Sequence, residues 1–235
     1  MMPSSTALFD PGPGEPHLGP FTPRPLADLL PAGRGRRVVL IDGRGGAGKS
    51  TLAAALADEA TRSGRPAAVV ATDDLAWHHS RFGWHDLLVT HIIEPFLAGD
   101  AVNYRPPGWV AEGRGGSVQV PAGTRLLIVE GTGALTDAIA PLADFSVWVT
   151  GDVEEQRRRG IAREVDAGVR DQDAATRFWD DWQIEERPFL ASRCPWDLAD
   201  LAVLGTVGEH PARRRAGCSP RTEPAAGPAA SRLDG

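Results

Sequence analysis

Lysine is almost missing from this chain: 235 residues carry 24 arginines and a single lysine, Lys49. That scarcity excludes every motif needing a second lysine, including the N-K-x-D element that selects guanine nucleotides. Cysteine is scarce too. Cys194 and Cys218 show no C-x-x-C spacing, so neither a disulfide framework nor a cysteine-based metal site is expected, and two free thiols suit a reducing compartment. No apolar run approaches the length that spans a bilayer. The N-terminus has no positive segment leading into an apolar one, so no signal peptide is expected and the protein reads as cytoplasmic, without a membrane partner. Acidic residues outnumber basic ones by 31 to 25, for a formal net charge of -6. Broad nucleic-acid binding needs a basic surface to displace counterions, so no nucleic-acid partner is expected.

What is present suits one soluble globular core, with 42% hydrophobic and 24% charged residues. Both ends differ from the middle. Residues 1–33 are rich in Pro and Gly and read as a largely flexible arm, with a short helical turn at about 25–30. Residues 34–207 read as one domain, and 208–235 as a disordered tail. Within the domain, continuous apolar runs at 38–41, 67–72, 126–129, 145–149 and 201–204 suit strands buried on both faces. Helices are expected at about 50–62, 85–97, 153–166 and 174–192, with loops and a short hairpin between 102 and 122. Strands alternating with helices imply an α/β fold with a parallel sheet covered on both sides.

The lone lysine falls in Gly43-Arg44-Gly45-Gly46-Ala47-Gly48-Lys49-Ser50, followed by Thr51. This satisfies G-x-x-x-x-G-K-[ST] between an expected strand and an expected helix, the context the motif requires. Glycines let backbone N–H groups converge on phosphate oxygens, and the helix N-terminus adds unpaired donors. Lys49 would reach the β- and γ-phosphates through solvent-filled space, and the Ser50 hydroxyl would ligate magnesium. ATP and Mg2+ are therefore the expected cofactors.

Acids stand where parallel strands end, the edge at which such sheets bind ligands. Asp42 ends the first strand, Asp73-Asp74 the second, and Glu130 the third. Glu130 has the place of a magnesium-holding acid, and Asp73 that of a general base for an attacking hydroxyl. The plainer reading makes such acids loop or helix caps, with Asp74 the strongest case. Arg157, Arg158, Arg159 and Arg163 share one expected helix, and Arg159 and Arg163 share a face. Arginines so placed can offset charge that spreads over a transferring phosphoryl group; the plainer reading is a solvated face paired with Glu154, Glu155 and Glu164. Trp77, Trp84 and Trp109 are expected in loops around the site, Trp148 in the core, and Trp179 and Trp182 in packing. His78, His79 and His85 cluster nearby without a zinc pattern.

With these features in order, the chain resembles the uridine kinase-like P-loop kinases, the group of uridine-cytidine, pantothenate and phosphoribulo-kinases. The resemblance spans roughly 36–205. It rests on the loop, Thr72-Asp73-Asp74, Ile128-Val129-Glu130-Gly131, the arginine helix through Arg163-Glu164, and Ala199-Asp200-Leu201. It implies a P-loop NTPase fold of five parallel strands in the order 2-3-1-4-5. It further implies phosphoryl transfer from ATP to a hydroxyl of a small, nucleoside-like acceptor, with Asp73 as base and Arg159 and Arg163 in a lid. Asp73, Asp74, Trp77, Tyr104 and Arg105 would face the acceptor, with His78 and Asp86 nearby. The chain departs from the group at Leu75, in its short 77–86 segment, and in Tyr104-Arg105-Pro106-Pro107-Gly108-Trp109. An acceptor-independent ATPase, or a nucleotide-binding protein without catalysis, is the alternative.

Overall fold

The computed structural model describes residues 9–33 and 35–205, and the backbone of 211–214. In chain order the elements are β1 (Thr22–Pro23), β2 (Arg37–Gly43), α1 (Lys49–Arg62), β3 (Ala67–Ala71), α2 (Thr72–Ala76), α3 (His85–Leu88), α4 (Glu94–Ala98), β4 (Val102–Tyr104), α5 (Pro107–Ala111), β5 (Val118–Val120), β6 (Leu126–Glu130), β7 (Phe145–Thr150), α6 (Val153–Asp166), α7 (Gln172–Arg193), α8 (Pro195–Leu198), β8 (Leu201–Leu204) and β9 (Pro211–Arg214).

The runs of β2, β6 and β7 bury both of their faces, because successive strand residues point to opposite sides of the sheet; β3, at the sheet edge, does not bury both as expected, and Val69 is exposed. On β2, Val38 and Leu40 join one core cluster with Leu127, Val129 and Trp148. Val39 and Ile41 join the other, with Leu126, Ile128 and Val147. Helix α1 covers the second cluster with Leu52, Leu56 and Ala60. Leu88, Ile92 and Phe96 cover the first. The expected helix at 85–97 forms, but Val89–Ile93 is a π turn. Pro95 has no N–H for the carbonyl four residues back, and the widened turn lies just before it.

Five parallel strands lie in the order β3-β6-β2-β7-β8, which is 2-3-1-4-5 in order of appearance, as the resemblance implied. The sheet does not stop there. β9 pairs antiparallel with β8, and β1 with β9. β9 falls in the stretch read as a disordered tail. The rest of that tail, 208–210 and 215–235, residues 206–207 before it and residues 1–8 of the arm lie outside the described residues.

The arm is where expectation and structure part most clearly. The Glu15 side chain is buried. Its Oε1 accepts from Trp148 Nε1 at 2.6 Å and from the Thr150 hydroxyl. Its Oε2 pairs with Arg44 Nε at 3.3 Å. Arg44 also donates to Pro11 O at 3.0 Å and Pro13 O at 2.9 Å, and Val153 N donates to Asp10 O at 2.8 Å. Residues 10–15 are therefore docked, not free. The sequence hides this, because one acid among prolines and glycines carries no periodic signal. Leu29 in the turn at Leu26–Leu29 is fully buried as well.

Glu15→Ala would strand the buried Arg44 guanidinium without its counter-charge, a loss of about 3–5 kcal/mol. Denaturant melts of the two chains measure it. A loss below about 1 kcal/mol, the worth of an exposed pair, would mean that the arm is undocked in solution.

Candidate active site

Strand β2 ends at Gly43, α1 begins at Lys49, and the phosphate-loop residues turn between them. Gly46 and Gly48 have φ of +70° and +97°, a region that L side chains rarely adopt. At Gly46 the space is closed as well: a Cβ would lie 2.0 Å from Gln156 O, because α6 leans directly on the loop. Ser50 Oγ donates to Glu130 Oε1 at 2.9 Å, joining the first turn of α1 to the end of β6.

Lys49 departs from expectation. It does not project into open space. It is 9% exposed, and its Nζ donates to Arg44 O at 2.9 Å and to Thr132 Oγ1 at 3.3 Å. A loop carbonyl and the Thr132 hydroxyl satisfy the buried ammonium.

Burial raises the Glu130 pKa, while the Lys49 charge and the Ser50 hydroxyl oppose the shift; Asp73 raises it further and Arg163 lowers it. Asp73 and Arg163 thus lie within electrostatic reach of Glu130. Asp73 is exposed on the first turn of α2, a short helix that the sequence reads as the end of a strand. Across the loop, a cleft of about 200 Å³ is lined by Gly46, Lys49, Ser50, Thr51, Arg159 and Arg163, among others. The structure therefore brings loop and arginine helix together. Arg159 Nη1 donates to Gly205 O at 3.0 Å, and Arg163 is largely exposed. Arg158 pairs with Glu155, Arg159 Nε lies 3.7 Å from Glu155 Oε1 and Arg163 Nη2 3.7 Å from Glu164 Oε1, the local pairs of the plainer reading, while Arg157 pairs with Asp180 on α7 at 2.8 Å.

The oxygens of Ser50 and Glu130 suit magnesium, which takes hard oxygen donors and is held by one or two protein groups beside phosphates and water. Among the described residues, no three His, Cys, Asp or Glu side chains cluster as a metal site of their own.

The acceptor-side residues are more engaged than expected. Asp74 is an ion-pair partner, not a helix cap: its Oδ1 accepts from Arg114 Nη2 at 3.0 Å, and its carbonyl accepts from Trp109 Nε1 at 2.8 Å. The Arg114 guanidinium lies 3.5 Å from the Trp109 ring centroid and 5.1 Å from that of Trp77. Trp109 and Trp84 are buried core residues, not loop aromatics free to stack. Tyr104 stacks on His91 at 4.3 Å, and burial, then the Asp86 charge, raises its pKa. Arg105 donates to Arg114 O at 2.7 Å. Asp73, Trp77 and Tyr104 remain at least partly accessible.

Two further acids act on the loop. Asp42 is fully buried and accepts from Gly43 N at 2.6 Å, Gly133 N at 3.0 Å and Leu135 N at 2.9 Å. It caps the loop ends, which is the plainer of the two roles weighed for strand-end acids. Glu186 on α7 accepts from Gly45 N at 2.8 Å and Trp182 Nε1 at 3.0 Å. An acid on a polar helix far from the motif gives no sequence signal; only its spacing of four from Trp182 hints at a shared face.

The site is thus a glycine-rich loop on a parallel α/β sheet, faced by an acid from the neighbouring strand and two arginines from a covering helix. No protein-family model and no curated protein matches the chain. Among solved structures, it is similar to a candidate fructose transport system kinase from Silicibacter sp. TM1040, at 24% identity over 64% of this chain and 82% of the other, with a TM-score of 0.44. It is also similar to a possible uridine kinase from Bacillus stearothermophilus, at 18% identity over 75% and 92%, with a TM-score of 0.47.

Burial pushes Asp42 up to about 7, against its three N–H donors and the Lys49 charge. The folded value lies above the ordinary aspartate value of 3.8, so between these values the folded chain holds a proton that the unfolded chain has released. That stabilising contribution is complete below about pH 4 and is lost as pH rises through about 7. Asp42→Asn lacks the titration. In denaturant melts from acid to neutral pH, the parent should lose stability relative to this variant. A constant difference would mean that Asp42 ionises at an ordinary acid pH.

Proposed function

We propose that the chain binds Mg-ATP at residues 43–51 and transfers the γ-phosphoryl group to a hydroxyl of a small, nucleoside-like acceptor, in the manner of a uridine kinase-like enzyme. The observation that carries this reading is the single cleft that Lys49, Ser50, Arg159 and Arg163 share, with Glu130 bonded to Ser50 and Asp73 within electrostatic reach.

Ser50 and Glu130 would hold magnesium, which offsets charge on the β- and γ-phosphates when bound. Lys49 exchanges its loop carbonyl for phosphate oxygens. Asp73 takes the proton of the acceptor hydroxyl as the new oxygen–phosphorus bond forms and the bond to the β,γ-bridging oxygen breaks, leaving ADP. Arg159 and Arg163 offset the charge that spreads over the moving phosphoryl group. Asp73 is suited to the base because it is exposed and, among the described residues, no side-chain hydrogen bond ties it.

Water as acceptor is the second reading. It is favoured by the engagement of Asp74, Arg105 and Trp109 with Arg114 and its surroundings, which leaves fewer free groups for a nucleoside. ADP release with Mg-ATP, measured against a panel of nucleosides, pantothenate and sugars, decides between them. Acceptor-dependent release supports transfer, and release indifferent to every acceptor supports hydrolysis.

If transfer is correct, Asp73→Asn lowers turnover by roughly 100- to 10,000-fold with ATP binding kept. Lys49→Ala lowers it by roughly 100- to 1,000-fold. Turnover in Asp73→Asn within a few-fold of the parent would remove Asp73 from the base role.

A further inference from the structure

The peptide between Arg44 and Gly45 is gripped from both sides. Its carbonyl accepts from Lys49 Nζ at 2.9 Å, and its N–H donates to Glu186 Oε1 at 2.8 Å. Lys49 comes from α1 and Glu186 from α7, which are 137 positions apart in the chain. Glu186 is itself held. Trp182, one turn earlier on the same face of α7, donates its Nε1 to the same carboxylate oxygen at 3.0 Å. The carboxylate is 3% exposed, so neither bond competes with bulk water.

We propose that Glu186 is a positioning residue of the phosphate loop: it fixes the Arg44–Gly45 peptide so that the loop holds its shape and Lys49 is aimed along it. The proposal rests on the reading of residues 43–51 as the ATP site. A flipped peptide would leave a buried N–H unpaired and turn the Arg44 carbonyl away from Lys49, and a buried unpaired donor is costly. Glycine at 45 would otherwise permit the flip, since it has no side chain to resist rotation.

Reach and charge make different demands on this residue, and two substitutions separate them. Glu186→Gln keeps the length and an oxygen acceptor but removes the charge. Glu186→Asp keeps the charge but retracts the carboxylate by one methylene. Positioning predicts that Glu186→Asp and Glu186→Ala raise the KM for Mg-ATP about tenfold, the worth of one buried hydrogen bond, with a smaller change in kcat. It predicts that Glu186→Gln recovers most of that loss. Gly45 amide exchange, followed by NMR on the full chain without nucleotide, should be slow in the parent and Glu186→Gln and fast in Glu186→Asp.

The opposite pattern overturns the proposal. If Glu186 instead repels phosphate as a latch, Glu186→Gln and Glu186→Ala both tighten ATP binding. Unchanged KM in Glu186→Asp also overturns it, whatever the exchange data. A parent chain that binds no Mg-ATP overturns the reading of the loop and the positioning role with it, but the Gly45 exchange rates would still register the Glu186 contact by itself. If Glu186→Ala does not fold, the Gln and Asp pair decides alone.

Discussion

A carboxylate sealed at the end of the central strand fixes the geometry of the whole cleft. Asp42 takes N–H groups from the start of the phosphate loop and from the turn after β6. It thereby ties two strand ends that register already brings level, with Ile41 beside Glu130. Because that turn is held, the Thr132 hydroxyl meets both Gly43 O at 3.0 Å and Lys49. Glu130 stays where the Ser50 hydroxyl can reach it. Removing a donor from such a buried carboxylate leaves charge uncompensated, so these contacts stand or fall together.

The loop is restrained from outside by quite different means. Arg44 turns away from the cleft and is held by the arm through Glu15 and two carbonyls. Glu15 also satisfies Trp148 and Thr150 on β7, so one acid links the arm, the loop and the sheet. A glycine-rich loop of this kind has large conformational entropy of its own. Packed side chains cannot restrain residues that have none, and the restraint here comes from hydrogen bonds and from backbones pressed close.

What could be read from the sequence follows from how local each signal is. The five parallel strands, the loop and the arginine helix were legible, because each is a run or a motif whose meaning depends on adjacent residues. The i,i+4 spacing puts Arg159 and Arg163 on one face of their helix, but that this face lines one cleft with Lys49 depends on how α6 packs against the loop, which spacing does not give. Glu15 and Glu186 were not legible, since each acts on the loop across more than a hundred positions or from an irregular arm. Trp84 and Trp109 misled because their neighbours look like loop; an aromatic among Gly and Pro says nothing about whether the fold closes over it. Asp74 misled differently. Its neighbour Asp73 is free, and only the position of Arg114 decides which of two adjacent acids is spent in an ion pair.

The cover over the loop is the least firmly held part of the site. Helices α6 and α7 share a small apolar cluster whose fully buried members are Ile161, Ala175 and Trp179. The sheet faces bury many more. At Gly160 the fit is so close that a Cβ would fall 1.9 Å from the Trp179 ring, so α6 and α7 meet by shape with little apolar surface to spare. Of the seven buried side-chain polar atoms without a hydrogen bond among the described residues, four belong to these helices: both amide atoms of Gln156, Trp179 Nε1, and Arg159 Nε, which has only a 3.7 Å ion-pair contact with Glu155. Each such atom costs about 1–3 kcal/mol relative to a satisfied one. The outer faces are joined by the exposed Arg157–Asp180 ion pair, which contributes little. Local opening is easiest where apolar burial is small and polar groups are unsatisfied. Access to Lys49 and Ser50 should therefore come by movement of α6 and α7, while the sheet and Asp42 keep the loop in register.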